Sequence, residues 1–205
     1  MSSRLFTDDI LFFQRILKAE GLYTGKLDGV WGPNTEAAAQ QFMLQSEQIK
    51  ASTRSFDIRS EGCITTLALA AQKQARLFLG RLLDGGINIR IISGTRTYAE
   101  QTVLYKQGRY GNSGKIITNA KGGQSNHNIG IAWDIGIFTT TGGYIGDGEE
   151  YGKAGKLGRS DMVEWGGEWK NFVDKPHYQL RLGKQVSQLR TEFEVGTLIY
   201  PKAQT

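Results

Sequence analysis

The chain has 205 residues, of which 39% are hydrophobic and 22% charged, and this balance excludes a disordered or membrane-embedded protein. The net charge of +5 lies entirely in residues 60–205, a mild positive field that suits an anionic polymer, but no basic run interleaved with aromatics predicts a nucleic-acid groove. The single cysteine, Cys63, excludes an internal disulfide and a Cys-x-x-Cys metal cluster, which fits synthesis in a reducing cytoplasm.

The first 48 residues are predicted to form a small helical domain. The opening MSSRLFTDD lacks the basic and apolar regions of a signal peptide. Apolar side chains recur at helical spacing over 8–19, and the glycine-rich stretch 20–34 then predicts a tight loop. A second helical pattern over 35–46 completes a helix–loop–helix unit, whose core is marginal at this size.

The polar stretch 49–63 is expected to link this unit to a larger domain, residues 64–205. Apolar residues at helical spacing predict a long helix over 64–84, which the adjacent glycines Gly85 and Gly86 end. A second helix is predicted over 98–106.

Three β-rich segments predict strands, at 87–94, 131–138 and 177–182. The glycine-rich segment 139–176 lies between the last two, and loops longer than about 15 residues usually serve a site. We therefore expect part of it to wall an active site. The pattern predicts an α+β fold with a small antiparallel sheet flanked by helices, preceded by the small all-α domain.

The only two histidines of the chain, His127 and His177, are candidate metal ligands. Alternation along 131–138 sets Asp134 opposite an apolar face, and His177 likewise occupies the polar face of its strand, together with Gln179. If the two strands are neighbours, Asp134 and His177 converge, and His127 can reach them from the preceding loop. Two imidazoles and a carboxylate leave a fourth position open, as in catalytic zinc sites. Taken alone, the pattern also fits ordinary hydrogen-bonded histidines.

Four segments in order carry a resemblance to the D-Ala-D-Ala carboxypeptidase and L-alanyl-D-glutamate endopeptidase family of zinc peptidases. Residues 125–134, SNHNIGIAWD, fit the family pattern S-x-H-x-x-G-x-A-x-D, and residues 174–177, DKPH, fit its acid-x-x-His element. Residues 93–98, SGTRTY, resemble its S-G-x-R segment, and WGGEWK at 165–170 resembles the segment before its last ligand.

The resemblance implies a role for each matched residue. His127, Asp134 and His177 would bind one zinc ion, preferred to calcium or magnesium, which take more oxygen ligands. Asp174 would be the general base, and Arg96 would stabilise the charge on the tetrahedral oxygen. The structural alternatives are an N-cap or turn carboxylate for Asp174 and a surface ion pair or phosphate contact for Arg96. Residues near these motifs are candidates for substrate binding: Gln124, Ser125 and Tyr98.

The first 45 residues resemble a peptidoglycan-binding domain of the three-helix type, through the loop Y-x-G-x-x-D-G-x-W-G-P-x-T at 23–35. Tyr23, Asp28 and Trp31 would contact glycan or stem peptide, since aromatic faces suit sugar rings. The alternative is that Tyr23 and Trp31 only form the core of a tiny domain.

A binding module followed by a zinc peptidase is the layout of a bacteriophage endolysin. The resemblance therefore implies a monomeric peptidoglycan hydrolase, made in the host cytoplasm and acting on the cell wall in the periplasm after release. It would cleave the stem peptide, at the L-Ala-D-Glu bond, with zinc-activated water. The alternatives are a D-Ala-D-Ala carboxypeptidase and a non-catalytic zinc-containing wall-binding protein.

Overall fold

The computed structural model describes residues 6–201. Its helices are α1 (Thr7–Ala19), α2 (Pro33–Ala51), α3 (Ile58–Ile64), α4 (Leu69–Asp84), α5 (Tyr98–Lys106), α6 (Glu149–Gly158) and α7 (Val186–Val195). Its strands are β1 (Ile89–Ser93), β2 (Ala132–Phe138), β3 (Tyr144–Ile145), β4 (Val163–Trp165) and β5 (His177–Leu180), with 3-10 turns at Asn126–Ile129 and Gly166–Glu168. The predicted α+β class is confirmed. Among these residues no helix is both long and apolar enough to cross a membrane.

The described residues form two compact units, each discontinuous in sequence. One unit comprises residues 6–45, 96–129 and 184–201, and the other comprises residues 46–95 and 130–183. The first unit thus joins the N-terminal segment to two later segments of the chain. The domain boundaries expected from the sequence, after residues 48 and 63, stay a prediction.

The core of the first unit forms where α1 packs against α7. The ring of Phe12 on α1 meets the ring of Phe193 edge-on at 5.6 Å and that of Tyr98 at 6.0 Å. Both partners come from the later segments. The N-terminal helix therefore buries its apolar face against residues far away in sequence.

A buried glutamine organises the loop between α1 and α2. Gln14 is fully buried, and its Oε1 accepts hydrogen bonds from the backbone N–H groups of Asp28 and Gly29. Its amide donates to Asp28 Oδ1 and to the Val30 carbonyl, both at 3.0 Å. One side chain thus satisfies backbone groups that no helix or strand pairs.

The second unit is built on an antiparallel sheet with strand order β1-β2-β5-β4, and β3 pairs with β2. Trp133, Tyr178 and Trp165 form a cross-strand row on one face, with neighbouring rings stacked at 6.5 Å. Phe78 of α4 covers this row, 4.4 Å from the ring of Tyr178. The predicted apolar face of β2 is confirmed as buried.

Two sequence expectations for this unit are wrong. The helix predicted over 64–84 begins only at Leu69, as α4, and Ile64 is the last residue of α3. In the turn between them, the hydroxyls of Thr65 and Thr66 donate to carbonyls of the last turn of α3 and so compete with a continuous helix. The segment 139–176 is not one long loop, since it holds β3, α6 and β4. The expected linker, 49–63, contains the end of α2 and most of α3, and its role as a linker stays a prediction.

A buried ion pair ties α3 to α4. The Arg76 guanidinium, whose side chain is 0% exposed, donates to both Glu61 oxygens at 2.8 and 2.7 Å. Burial by itself raises the pKa of the Glu61 carboxyl, but the hydrogen bonds from Arg76 and the Phe56 N–H outweigh it and hold the pKa below its ordinary value. The pair therefore stabilises the fold only while Glu61 is ionised.

Replacing Glu61 with Gln should lower the free energy of unfolding at neutral pH by about 3 kcal/mol, because it leaves the Arg76 charge buried and unpaired. The stabilisation from a depressed pKa is present above the unfolded value and is lost as pH falls through the folded one. The difference between parent and variant in urea unfolding should therefore shrink below about pH 4.

Asp84→Asn is the matched control, since Asp84 pairs with Arg54 at 2.7 Å on the exposed surface. That change should cost less than about 1 kcal/mol. Equal losses for the two variants, or a Glu61→Gln loss independent of pH, would contradict the assignment.

Candidate metal centre

Asp134 and His177 are cross-strand neighbours in the sheet of the second unit. The register of β2 and β5 pairs them directly, and His177 Nδ1 lies 3.2 Å from Asp134 Oδ1. They occupy the face opposite the aromatic row, because side chains alternate along each strand. The expectation that the two strands neighbour one another is confirmed.

His127 lies in the 3-10 turn Asn126–Ile129, which precedes β2. Hydrogen bonds to other residues of the first unit hold this turn in place. Its N–H donates to Ser125 Oγ at 3.4 Å, and its carbonyl accepts from the Arg96 N–H at 3.1 Å. The fully buried Asn128 donates to the Arg96 carbonyl at 2.8 Å and accepts from the Gly123 N–H at 2.9 Å. Asn128, which the sequence did not single out, therefore sets where the His127 backbone lies.

Three side chains form a group able to bind a metal ion: His127, Asp134 and His177. Each offers one ligand atom, and these atoms all lie within 4.8 Å of one another. Two ligands of a tetrahedral zinc ion lie about 3.3 Å apart, which follows from metal–ligand distances of about 2.0–2.1 Å. The 3.2 Å between Asp134 and His177 matches that spacing. The residues present therefore fit a metal ion with imidazole and carboxylate ligands.

The charge state of His177 depends on its neighbours in the sheet. Burial by itself lowers the pKa of the imidazole, but the hydrogen bond and negative charge of Asp134 outweigh it, with smaller contributions from Gln179 and Asp174. The pKa of His177 consequently lies above its ordinary value. A proton and a metal ion compete for this pair, so metal uptake releases protons.

Asp174, the candidate base, is held close to the last ligand. Its N–H donates to the Gly166 carbonyl at 3.0 Å, and its own carbonyl accepts from the His177 N–H at 3.2 Å. A Cβ on Gly166 would lie 2.6 Å from the backbone carbonyl oxygen of Asp174 and 3.1 Å from the His177 Cβ. The glycine therefore allows the two segments to approach. The catalytic role of Asp174 stays a prediction.

Arg96, the candidate oxyanion partner, belongs to the first unit. Its Nη1 donates to Gln101 Oε1 at 3.0 Å, and its backbone bonds to His127 and Asn128 as described. Gln101 is itself fully buried. The guanidinium is thus oriented by a buried amide, and its catalytic role stays a prediction.

The candidate substrate-binding residues have structural partners in the same unit. Gln124 Oε1 accepts from the Lys121 N–H at 3.1 Å, and Ser125 accepts from the His127 N–H. Tyr98 donates to Glu194 at 3.3 Å, and burial together with the Glu194 charge raises the pKa of its hydroxyl to about 12. Their contact with substrate stays a prediction.

The three candidate wall-binding residues differ in exposure. Tyr23 is 6% exposed and donates to the Lys26 carbonyl at 2.7 Å, as a core residue does. Asp28 accepts from the Gln14 amide and the Val30 N–H, which lower the pKa of its carboxyl. Trp31 is 37% exposed and stacks on Phe13, 6.1 Å between centroids and 5° between planes. The Trp31 ring thus remains available on one side.

Comparison with known proteins bears on the segment that holds this centre. Residues 118–180 match a family described as D-alanyl-D-alanine carboxypeptidase. The match to the carboxypeptidase family includes all three metal-ligand candidates and Asp174, whereas Arg96 lies outside it.

Two proteins of stated activity resemble the chain. It is 41% identical over 106 residues to the peptidoglycan L-alanyl-D-glutamate endopeptidase CwlK of Bacillus subtilis, in an alignment covering 46% of this chain and 62% of that protein. The chain thus spans less than two thirds of the length of this relative. The crystal structure of the Serratia marcescens L-Ala D-Glu endopeptidase ChiX aligns with a TM-score of 0.48 at 26% identity, covering 62% of this chain and 90% of the other.

Replacing Asp134 and Asp174 one at a time with Asn should show which of them is the metal ligand and which is the general base. Asp134→Asn should weaken zinc retention, because a neutral amide is a poor substitute for a carboxylate ligand. Asp174→Asn should retain the zinc of the parent yet lower turnover about a hundredfold or more, the usual contribution of a general base. Elemental analysis and turnover of both proteins measure the difference.

His127→Ala and His177→Ala are the companion variants, since the chain has no third histidine to substitute. Both should lose bound zinc. Full zinc in His177→Ala would contradict the ligand set, and zinc loss in Asp174→Asn with retention in Asp134→Asn would exchange the roles of the two aspartates.

Proposed function

We propose that the protein is a zinc-dependent peptidase that hydrolyses the L-alanyl-D-glutamate bond in the stem peptide of bacterial peptidoglycan. The observation that carries the proposal is the His127, Asp134 and His177 group, within a segment that matches a family described as D-alanyl-D-alanine carboxypeptidase. The relative CwlK, named for this bond, supports the choice of substrate. Two imidazoles in the ligand set favour zinc over calcium or magnesium.

The reaction is a hydrolysis in which the chain moves one proton. Bound zinc supplies a Lewis acid that lowers the pKa of water to about 7. Asp174 takes a proton from the attacking water, whose oxygen bonds to the alanyl carbonyl carbon. The C–N bond then breaks, and Asp174 returns the proton to the departing glutamate nitrogen. Arg96 offers its positive charge to the carbonyl oxygen as that oxygen becomes negative.

A second candidate is a D,D-carboxypeptidase that removes the terminal D-alanine. The description of the matched family favours it, since that family is named for this activity. A non-catalytic wall-binding protein with a structural metal is the third. The role of a bacteriophage endolysin, made in the host cytoplasm and active on the wall after release, is proposed from the sequence resemblance alone.

Digestion of purified peptidoglycan tests the activity and the bond together. The parent protein should release a peptide whose new N-terminal residue is D-glutamate. Amine labelling and mass spectrometry detect that new amino group. A chelator should stop the release, and added zinc should restore it. Release of free D-alanine in its place identifies the carboxypeptidase, and no product with zinc-loaded protein contradicts the proposal.

We also propose that the N-terminal loop contacts the wall through Trp31. This indole is partly exposed and braced by Phe13, and its Nε1 donates to Glu36 at 2.7 Å. An aromatic face held rigidly from behind suits stacking on a sugar ring. Tyr23 and Asp28 then act through the loop conformation.

Trp31→Ala should lower the affinity for insoluble peptidoglycan about fivefold, corresponding to the roughly 1 kcal/mol of one aromatic contact. Co-sedimentation with purified walls measures it. Met43→Ala is the control, since Met43 is also exposed and apolar, at 66%, and should bind as the parent does. If Trp31→Ala binds insoluble peptidoglycan as tightly as the parent does, the proposed contact through Trp31 is wrong.

A further inference from the structure

The two ring nitrogens of His177 face different groups. Nδ1 lies 3.2 Å from Asp134 Oδ1, and Nε2 lies 3.0 Å from Gln179 Oε1. Residues 177 and 179 share one face of β5, because side chains alternate along a strand. A neutral imidazole carries its proton on one nitrogen only, so the partner of one nitrogen decides which lone pair is left for a metal ion.

The orientation of the Gln179 amide follows from its other neighbour. Its Nε2 lies 3.4 Å from Glu164 Oε2, and the register of β4 and β5 pairs the two residues directly. The Gln179 NH₂ group donates to the Glu164 oxygen, and the Gln179 oxygen therefore faces His177.

The Glu164 carboxylate is fixed in turn by an indole. Trp169 Nε1 donates to Glu164 Oε1 at 2.5 Å, and an indole N–H can only donate. The Trp169 ring also lies beside the His177 ring, 4.9 Å between centroids at 47°. Trp169 therefore contacts both ends of this series of hydrogen bonds, the Glu164 carboxylate and the His177 imidazole.

We propose that Gln179, oriented by Glu164 and Trp169, is a positioning residue that keeps the proton of His177 on Nε2 and so makes Nδ1 the metal-binding nitrogen. In this arrangement Trp169 and Gln179 donate to Glu164, and His177 donates to Gln179. The Nδ1 lone pair then points to the side of Asp134, where the metal centre lies. The inference rests on the metal part of the proposed function and not on the bond that is cleaved.

Zinc affinity tests the role without any assay of peptidase activity. Gln179→Met in the full chain should raise the Kd for zinc about tenfold to a hundredfold, the usual effect of losing a hydrogen-bond partner of a ligating histidine. The Kd is measured by competition with a chromophoric chelator. Gln72→Met is the matched control, because Gln72 is another buried glutamine of the same unit, hydrogen-bonded to Ser46 and to the Leu67 carbonyl.

The double variant Glu164→Gln/Gln179→Glu should restore most of the lost affinity. The carboxylate introduced at 179 accepts from His177 Nε2, and the amide introduced at 164 donates to that carboxylate and accepts from Trp169. If Gln179 were only structural, the double variant should not recover zinc affinity, because it moves the negative charge from residue 164 to residue 179.

Nitrogen-15 NMR of histidine gives a direct readout, since the chain has only two imidazoles to assign. In the zinc-loaded parent, His177 should show a protonated Nε2 and a coordinated Nδ1. Coordination through Nε2 would overturn the proposal, and so would a zinc Kd unchanged in Gln179→Met or raised equally in Gln72→Met. A parent that binds zinc with the expected tautomer but leaves peptidoglycan intact would overturn the proposed activity alone.

Discussion

The register between β2 and β5 is the constraint on which the metal centre depends. The same alignment that pairs Asp134 with His177 on one face pairs Trp133 with Tyr178 on the other. A slip by one residue would turn both ligands toward Phe78 and the aromatic row toward the opposite face. Burial of three large rings therefore fixes the separation of two ligand atoms, with each aromatic pair adding about 0.5–1.5 kcal/mol beyond its buried area.

The polar face of the same sheet is organised by hydrogen bonds in place of packing. A buried polar group costs stability unless it is paired, and Glu164, Gln179 and His177 are linked to one another by hydrogen bonds on this face. The imidazole of His177, a candidate ligand, is consequently held between Asp134 and Gln179. Gly166 contributes in a different way, because its missing side chain lets the Asp174 segment lie against the last ligand.

Local sequence signals predicted the elements that carry their own period or caps. Helix α5 was predicted over its observed range, and Thr97 with Glu100 forms a capping box at its start. Alternation alone identified the polar faces of β2 and β5. The break between α3 and α4 was missed because Ile64, Leu67 and Ala71 keep helical spacing across it. Glu164 was missed because its partner Gln179 is brought to it only by pairing of β4 with β5.

The N-terminal segment resembles a separate binding module, but in the structure its first helix packs against a helix near the other end of the chain. Phe12 of α1 packs on Phe193 of α7, and α7 contacts the 3-10 turn that carries His127. The hydroxyl of Tyr200, just after α7, donates to the Ile129 carbonyl at the end of that turn, at 2.6 Å. Removing α1 would therefore uncover α7 and loosen the support of the turn, because an apolar face loses its stabilisation when its cover is removed. The loop proposed to contact the wall and the candidate ligand His127 thus share one core.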